Sequence, residues 1–204
     1  MKQDNRSVPL FFSVILLFLT LQGCAALKNT DSSRVAWEAR RELLVRIDRF
    51  TLQARVSSGG LFGVKGNLHW RQRPDGFDMR VAGPFGIGAA TINGRGKEVT
   101  IRTSKREFTT QDPEGDLKAR LGWTFPVAHL RYWVLGQPAP GSKAEFESDR
   151  AGRIIALEQD GWTLAFDEYQ DAGAVELPRK FEVANSELRL KVVVDTWSEL
   201  PALK

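Results

Sequence analysis

The chain has one cysteine, Cys24, and two histidines, His69 and His129, in 204 residues. One cysteine cannot close an internal disulfide. With that thiol at the far N-terminal side, neither a cysteine metal site nor a thiol nucleophile can be assembled from the rest. His69 lies on the polar phase of an alternating run. His129 sits among apolar neighbours and reads as structural. Gly83, Gly86 and Gly88 lead into a strand pattern, not the helix a dinucleotide fingerprint requires. Gly94–Lys97, GRGK, lacks the Ser or Thr that would complete a phosphate loop. Acidic pairs such as Glu145/Glu147 and Asp167/Glu168 are ordinary on exposed strands. Enzyme chemistry is therefore the least supported class. Charge of one sign is also scarce: the formal net charge is +4. No basic stripe or RNA-binding motif appears, which argues against a nucleic-acid partner. A mildly basic face could suit an acidic protein or anionic lipid, or could simply be solvated surface.

A hydrophobic run long enough to span a bilayer is missing too. The one apolar run, Val8–Leu21, falls short of the roughly 20 residues a transmembrane helix needs. It follows Lys2 and Arg6 and so reads as a secretory signal peptide. The run ends in LQGC, which resembles a bacterial lipobox. On that resemblance residues 1–23 are removed, and Cys24 carries an S-diacylglycerol and an N-acyl chain. The alternative is an ordinary signal peptide followed by a chance cysteine. Removing Lys2, Arg6 and Asp4 lowers the formal charge from +4 to +3. Ala25 follows the cysteine; on the enterobacterial sorting pattern this favours the outer membrane.

What is present is alternation. Residues 24–32 read as a tether, with Asp31, Ser32 and Ser33 as candidate N-caps. Val35, Ala36, Ala39, Leu43 and Ile47 then share one face of a first helix. From Leu52 the period changes to two. Leu52/Ala54/Val56, Val64/Gly66/Leu68/Trp70, Phe77/Met79/Val81, Ala89–Ile92 and Val99/Ile101 are separated by turn residues, including Asp75-Gly76 and Asn93–Gly96. Asp112-Pro113-Glu114 opens a helix as N-cap, N1 proline and first-turn acid, and Gly122 stops it. Pro126 opens a second, Val127–Leu135, which Gly136 closes. Strands resume at Ala144–Ser148, Ile154–Gln159, Trp162–Phe166, Phe181–Val183 and Leu188–Val194. About eleven strands and three helices in residues 33–204 imply a single mainly β (α+β) domain. Its expected form is a strongly curved antiparallel sheet, nearly a barrel, with helices against one opening.

Six tryptophans stand out, at 37, 70, 123, 133, 162 and 197. Several fall on apolar phases, which suits either a filled core or a cavity for an apolar ligand. By phase, Leu68, Trp70, Met79, Val81, Leu130, Trp133, Trp162, Leu164 and Phe166 are candidate lining residues. Phe85 raises a separate question. It lies between Gly83-Pro84 and Gly86, in a turn, where a large ring either tucks into the core or meets something apolar.

GNLHWRQ at 66–72, AGPFGIG at 82–88, LGWTFPVAHLRYWVLGQPAPG at 121–141, QDGW at 159–162 and LP at 177–178 resemble the LolB family in order and spacing. The most specific piece is the run from Pro126 to Pro138. The resemblance implies an unclosed half-barrel of eleven antiparallel strands with helices as a lid over a hydrophobic cavity. It implies no cofactor and no enzymatic activity. The implied partner is LolA, the soluble carrier, which hands over mature lipoproteins. Their acyl chains are shielded in the cavity and released into the inner leaflet of the outer membrane. The protein itself would be a lipid-anchored monomer facing the periplasm. The family carries a protruding apolar residue in the loop between its third and fourth strands. That residue aligns with Phe85; many relatives have leucine there. On this resemblance Phe85 is exposed and contacts outer-membrane lipid. The competing reading is an outer-membrane lipoprotein of the same shape that carries another lipid.

Overall fold

In a computed structural model of the protein the described residues are 23–59, 65–83, 89–121 and 126–203, with backbone alone described at 23–31, 117, 118, 120 and 121. Residues that alternate in sequence alternate in the structure. Helix α1 (Gly23–Leu44) leads into β1 (Phe50–Ser58), β2 (Lys65–Arg73), β3 (Gly76–Ala82), β4 (Ala90–Arg95), β5 (Glu98–Thr103) and β6 (Glu107–Thr110). Helices α2 (Pro113–Leu121) and α3 (Val127–Trp133) follow. The second run is β7 (Ala144–Ser148), β8 (Ile154–Gln159), β9 (Trp162–Asp171), β10 (Glu176–Ala184) and β11 (Arg189–Ser198).

The first strand pairs with the last. This joins the two meanders into one eleven-stranded antiparallel sheet, ordered β6-β5-β4-β3-β2-β1-β11-β10-β9-β8-β7. The outer strands β6 and β7 do not pair with each other, so the sheet is an unclosed half-barrel. Register places one apolar row across six strands: Leu52, Trp70, Met79, Ile92, Ile101 and Phe108 are successive partners. Such cross-strand rows are the unit of sheet stabilisation. Their shared inner face is the core, closed by Trp37, Leu44 and Ile47 from and after α1 and by Trp133, Val134 and Leu135 at the end of α3. A smaller cluster of Val99, Ile101 and Val127 lies under the start of α3.

The local chemistry read from sequence holds at α2. Asp112 Oδ1 accepts from the Gly115 backbone N–H at 3.0 Å, an N-cap bond that satisfies an orphan donor. Gly136 ends the α3 segment at φ +75°, the left-handed conformation a glycine stop provides. Gly122 lies outside the described residues.

Three expectations are corrected. Helical backbone begins at Gly23, so residues 24–32, read as a tether, are helical and 31–33 do not start the helix. The face of α1 also differs. Val35 is 71% exposed, while Trp37, Arg40 and Leu44 turn inward. The Arg40 guanidinium is buried because the Glu176 carbonyl accepts from its Nη2 and the Tyr169 ring lies beneath it at 5.2 Å. The turn read at Asn93–Gly96 is shifted: β4 runs to Arg95, and the turn is Gly96-Lys97. Gly94 faces the Phe77 ring, and Asn93 donates to Asp78 Oδ1 at 2.7 Å. Both are strand residues chosen for cross-strand fit. The short strand β6 falls outside the runs read from sequence.

Candidate functional site

The inner face of the half-barrel gathers most of the residues picked by phase. Trp70, Met79, Trp133, Trp162, Leu164 and Phe166 are buried in one cluster, with Leu68 and Leu130 half-buried against it. Val81 is half-buried directly opposite Leu68. The alternating phase was therefore read correctly on β2, β3 and β9, because one buried face fixes the register of a strand.

Burial is graded along the strands. Leu52, Trp70 and Met79 are buried, whereas Val56, Leu68, Val81 and Ala90, one or two pleats nearer the β3–β4 connection, are half-buried. Apolar surface on the inner face is thus least covered toward that end. Aromatic rings fill the covered part: Phe50 packs edge-on to Trp70 at 5.2 Å, Phe166 lies 5.6 Å from Phe181, and Trp133 lies 6.2 Å from Trp162. The Trp70 indole N–H is buried without an acceptor among the described residues.

Helix α3 is held over this face by polar contacts that sequence reasoning missed. Gln159 Oε1 accepts from Trp133 Nε1 and from the Ala139 N–H, both at 2.9 Å. Gln159 Nε2 donates to the Ala139 carbonyl at 2.7 Å and to Ser142 Oγ at 2.9 Å. One buried amide therefore ties α3, the 137–142 loop and β8 together. Next to it, His129 Nε2 lies 2.8 Å from Asp160 Oδ2, and Ser142 Oγ donates to the same oxygen at 2.6 Å. Glu114 of α2 belongs to this acidic neighbourhood: burial, then the Asp112 and Asp160 charges, raise its carboxyl pKa against a lowering effect from His129. A signal for Gln159 did exist. It is an uncharged polar residue two positions after Leu157, and so on the same side of a strand.

A second feature is a groove of about 580 Å³ between α1, the 137–140 loop and β7. Trp37, Leu44, Tyr132, Leu135, Pro138 and Phe146 are among its walls, and none of the nine candidate residues is. Phe85 lies outside the described residues. Cys24 has helical backbone in α1, and its side chain lies outside the description. Among the described residues no helix is long and apolar enough to cross a membrane.

The family model described as "Outer membrane lipoprotein LolB" matches residues 49–197. The chain is 33% identical over 188 residues to an outer-membrane lipoprotein LolB from Stutzerimonas stutzeri, covering 89% of this chain and 91% of the relative. It is 34% identical over 190 residues to the LolB of Chromohalobacter salexigens, covering 91% and 89%. Among solved structures, a LolA superfamily protein from Nitrosomonas europaea superposes with a TM-score of 0.52 at 10% identity, covering 83% of this chain and 94% of that one. That likeness is one of fold.

Proposed function

The chain belongs to the LolB family, and from that premise we propose that it is the receptor that takes lipoproteins from LolA and inserts them into the inner leaflet of the outer membrane. A family of lipoprotein-trafficking receptors is not a family of enzymes. The observation that carries the reading is the match to LolB over nine-tenths of both chains. The open, largely apolar inner face supports it as the place where acyl chains would be shielded.

The physical need for such a receptor is clear. A buried methylene is worth about 0.8 kcal/mol, so a chain of roughly fifteen costs on the order of 12 kcal/mol to expose to water. Free diffusion of a triacylated protein is negligible on that scale. A hand-off without nucleotide chemistry has to run downhill, so the receptor binds acyl chains more tightly than LolA and less tightly than the bilayer.

In this reading residues 1–23 are the signal peptide and residues 24–32 carry the lipidated Cys24. The chain is anchored in the outer membrane by the S-diacylglycerol and N-acyl groups on Cys24, and acts as a monomer facing the periplasm. The acyl chains contact the inner face around Leu68, Val81 and Leu130, with the deeper Trp70, Met79, Trp133, Trp162, Leu164 and Phe166 as its floor. Phe85 dips into the leaflet and assists release.

The test is transfer. LolA loaded with a labelled lipoprotein is mixed with the protein, and movement of the label is followed. Movement is expected. Phe85→Glu is expected to fold and to accept label, and to pass it poorly to liposomes. No movement between two folded proteins would leave a carrier of some other lipid. Loss of folding stability in Phe85→Glu would return Phe85 to the core.

A further inference from the structure

The two ends of the half-barrel differ in how their charges are matched. At the end that carries the β2–β3, β4–β5, β7–β8 and β9–β10 turns, Arg73, Arg95 and Arg153 sit against acids, and the exposed Lys97 and Arg150 each have an acid, Glu98 and Asp149, beside them in sequence. Asp78 is 2.5 Å from Arg73 and 3.1 Å from Arg95, and Arg153 reaches Asp149 at 2.7 Å and Glu176 at 3.1 Å. At the other end, the half formed by β1–β6 is different. Register puts Lys65, the β3–β4 connection and the β5–β6 turn at one edge, because Ser57 opposes Lys65, Val81 opposes Ala90 and Ala90 opposes Thr103.

Three cations there, Lys65, Lys105 and Arg106, are exposed and have no acidic partner among the described residues. The turn uses its backbone groups internally: Thr103 Oγ1 accepts from the Lys105 and Arg106 backbone N–H groups at 3.3 and 3.1 Å. The acid next to them, Glu107, is engaged by Arg102 through two bonds of 2.7 Å. The connection that these cations bracket, 83–89, carries no charged residue and includes Phe85 and Ile87 in its sequence; the neighbouring 59–64 connection is uncharged as well.

We propose that Lys65, Lys105 and Arg106 form a docking rim for an anionic phospholipid leaflet, setting this end of the half-barrel against the membrane. The inference rests on the membrane-delivery reading and supplies what that reading lacks, the force that orients the molecule. Neighbouring strands lie about 4.8 Å apart, so Lys65 and the β5–β6 turn stand roughly 15–20 Å apart, on either side of the β3–β4 connection. A leaflet offers anionic headgroups above hydrocarbon, which matches cations flanking uncharged apolar sequence. An acidic protein would match the cations alone. Each cation near such a surface strengthens attachment about fivefold, and salt screens the effect.

The experiment uses the full lipidated protein, reconstituted through its own anchor, with Ser104→Cys labelled by an environment-sensitive fluorophore. The liposomes are phosphatidylethanolamine alone, or the same with phosphatidylglycerol. The probe is expected to brighten on the anionic liposomes, to lose that gain at high salt, and to lose it in the variant Lys65→Gln/Lys105→Gln/Arg106→Gln. A composition-independent signal, or a variant that matches the parent, overturns the rim. A probe that responds to loaded LolA and not to liposomes also overturns it, in favour of an acidic protein partner. Transfer from LolA is scored separately, so failure of the receptor reading leaves the probe result standing on its own.

Discussion

Gly152 and Ala36 meet with no room for a side chain between them. At Gly152 φ is +72°, and a Cβ there would stand 2.4 Å from the Ala36 carbonyl carbon. Helix α1 thus rests its backbone directly on the β7–β8 turn, and Arg40, one helical turn further on, bonds the Glu176 carbonyl of β10. The same turn is closed by Asp149. Burial raises its pKa, but the backbone and guanidinium of Arg153 and the Ala151 N–H outweigh this and hold the carboxyl below its usual range.

Gly152→Ala is therefore expected to cost about 3 kcal/mol or more, from left-handed strain together with a backbone clash that no rotamer relieves. Gly161 is the control. Its φ is +76°, with nothing within 4 Å of the added Cβ. Gly161→Ala should cost about 1 kcal/mol, the strain alone. Urea unfolding of both variants measures the difference. Equal losses would mean that α1 is not seated on this turn.

Gln159→Leu tests the tie that holds α3. The substitution keeps most of the volume but strands the Trp133 and Ala139 N–H groups and the Ala139 carbonyl in a buried site. An unsatisfied buried group costs about 1–3 kcal/mol, so a loss of about 3 kcal/mol or more is expected. Trp133 fluorescence should also change, since its indole loses its acceptor. A loss under about 1 kcal/mol, as for a surface change, would show the network to be incidental.

Tyr169 gives an alkaline signature. Burial raises its phenol pKa well above the ordinary 10, Asp149 and Glu176 add to the rise, and Arg40 and Arg153 oppose it. Its Oη donates to the Ile154 carbonyl at 2.7 Å, which requires the proton. The folded pKa lies above the unfolded one, so this stabilisation is intact below about pH 10 and is lost as pH rises toward the folded value. Tyr169→Phe should cost about 1 kcal/mol at neutral pH and flatten the decline above pH 10. Denaturation midpoints across that range read both effects; an unchanged alkaline slope would contradict the assignment.

The sheet and much of the inner face were legible because alternation with one buried side leaves a single consistent phase. Trp70, Met79 and Leu164 were placed by that phase alone. β6 was not legible because its four residues hold one apolar side chain, Phe108, which is too short a pattern to show a period. The burial of Arg40 was not legible for another reason. A charged residue is assigned to solvent unless its partner is known, and its partner Glu176 lies 136 positions away. Contacts of that span are products of β1 closing on β11, which local sequence does not encode.

Graded burial divides the candidate residues into a packed floor and a half-covered part. Leu164 is 2% exposed and belongs to the packed floor. Leu164→Gln buries an amide among apolar rings and should destabilise by several kcal/mol, with any loss of acyl binding following from that. Leu130 is half-buried on α3, the helix that covers the face. Leu130→Gln should cost only about 1 kcal/mol, because less area is removed from water there. If acyl chains lie along Leu68, Val81 and Leu130, its binding of a fluorescent acyl probe should still fall several-fold. The comparison is therefore of binding against melting temperature in two variants with the same chemical change. A Leu130→Gln protein that binds the probe as well as the parent would place the acyl site elsewhere, with the groove between α1 and β7 as the next surface to substitute.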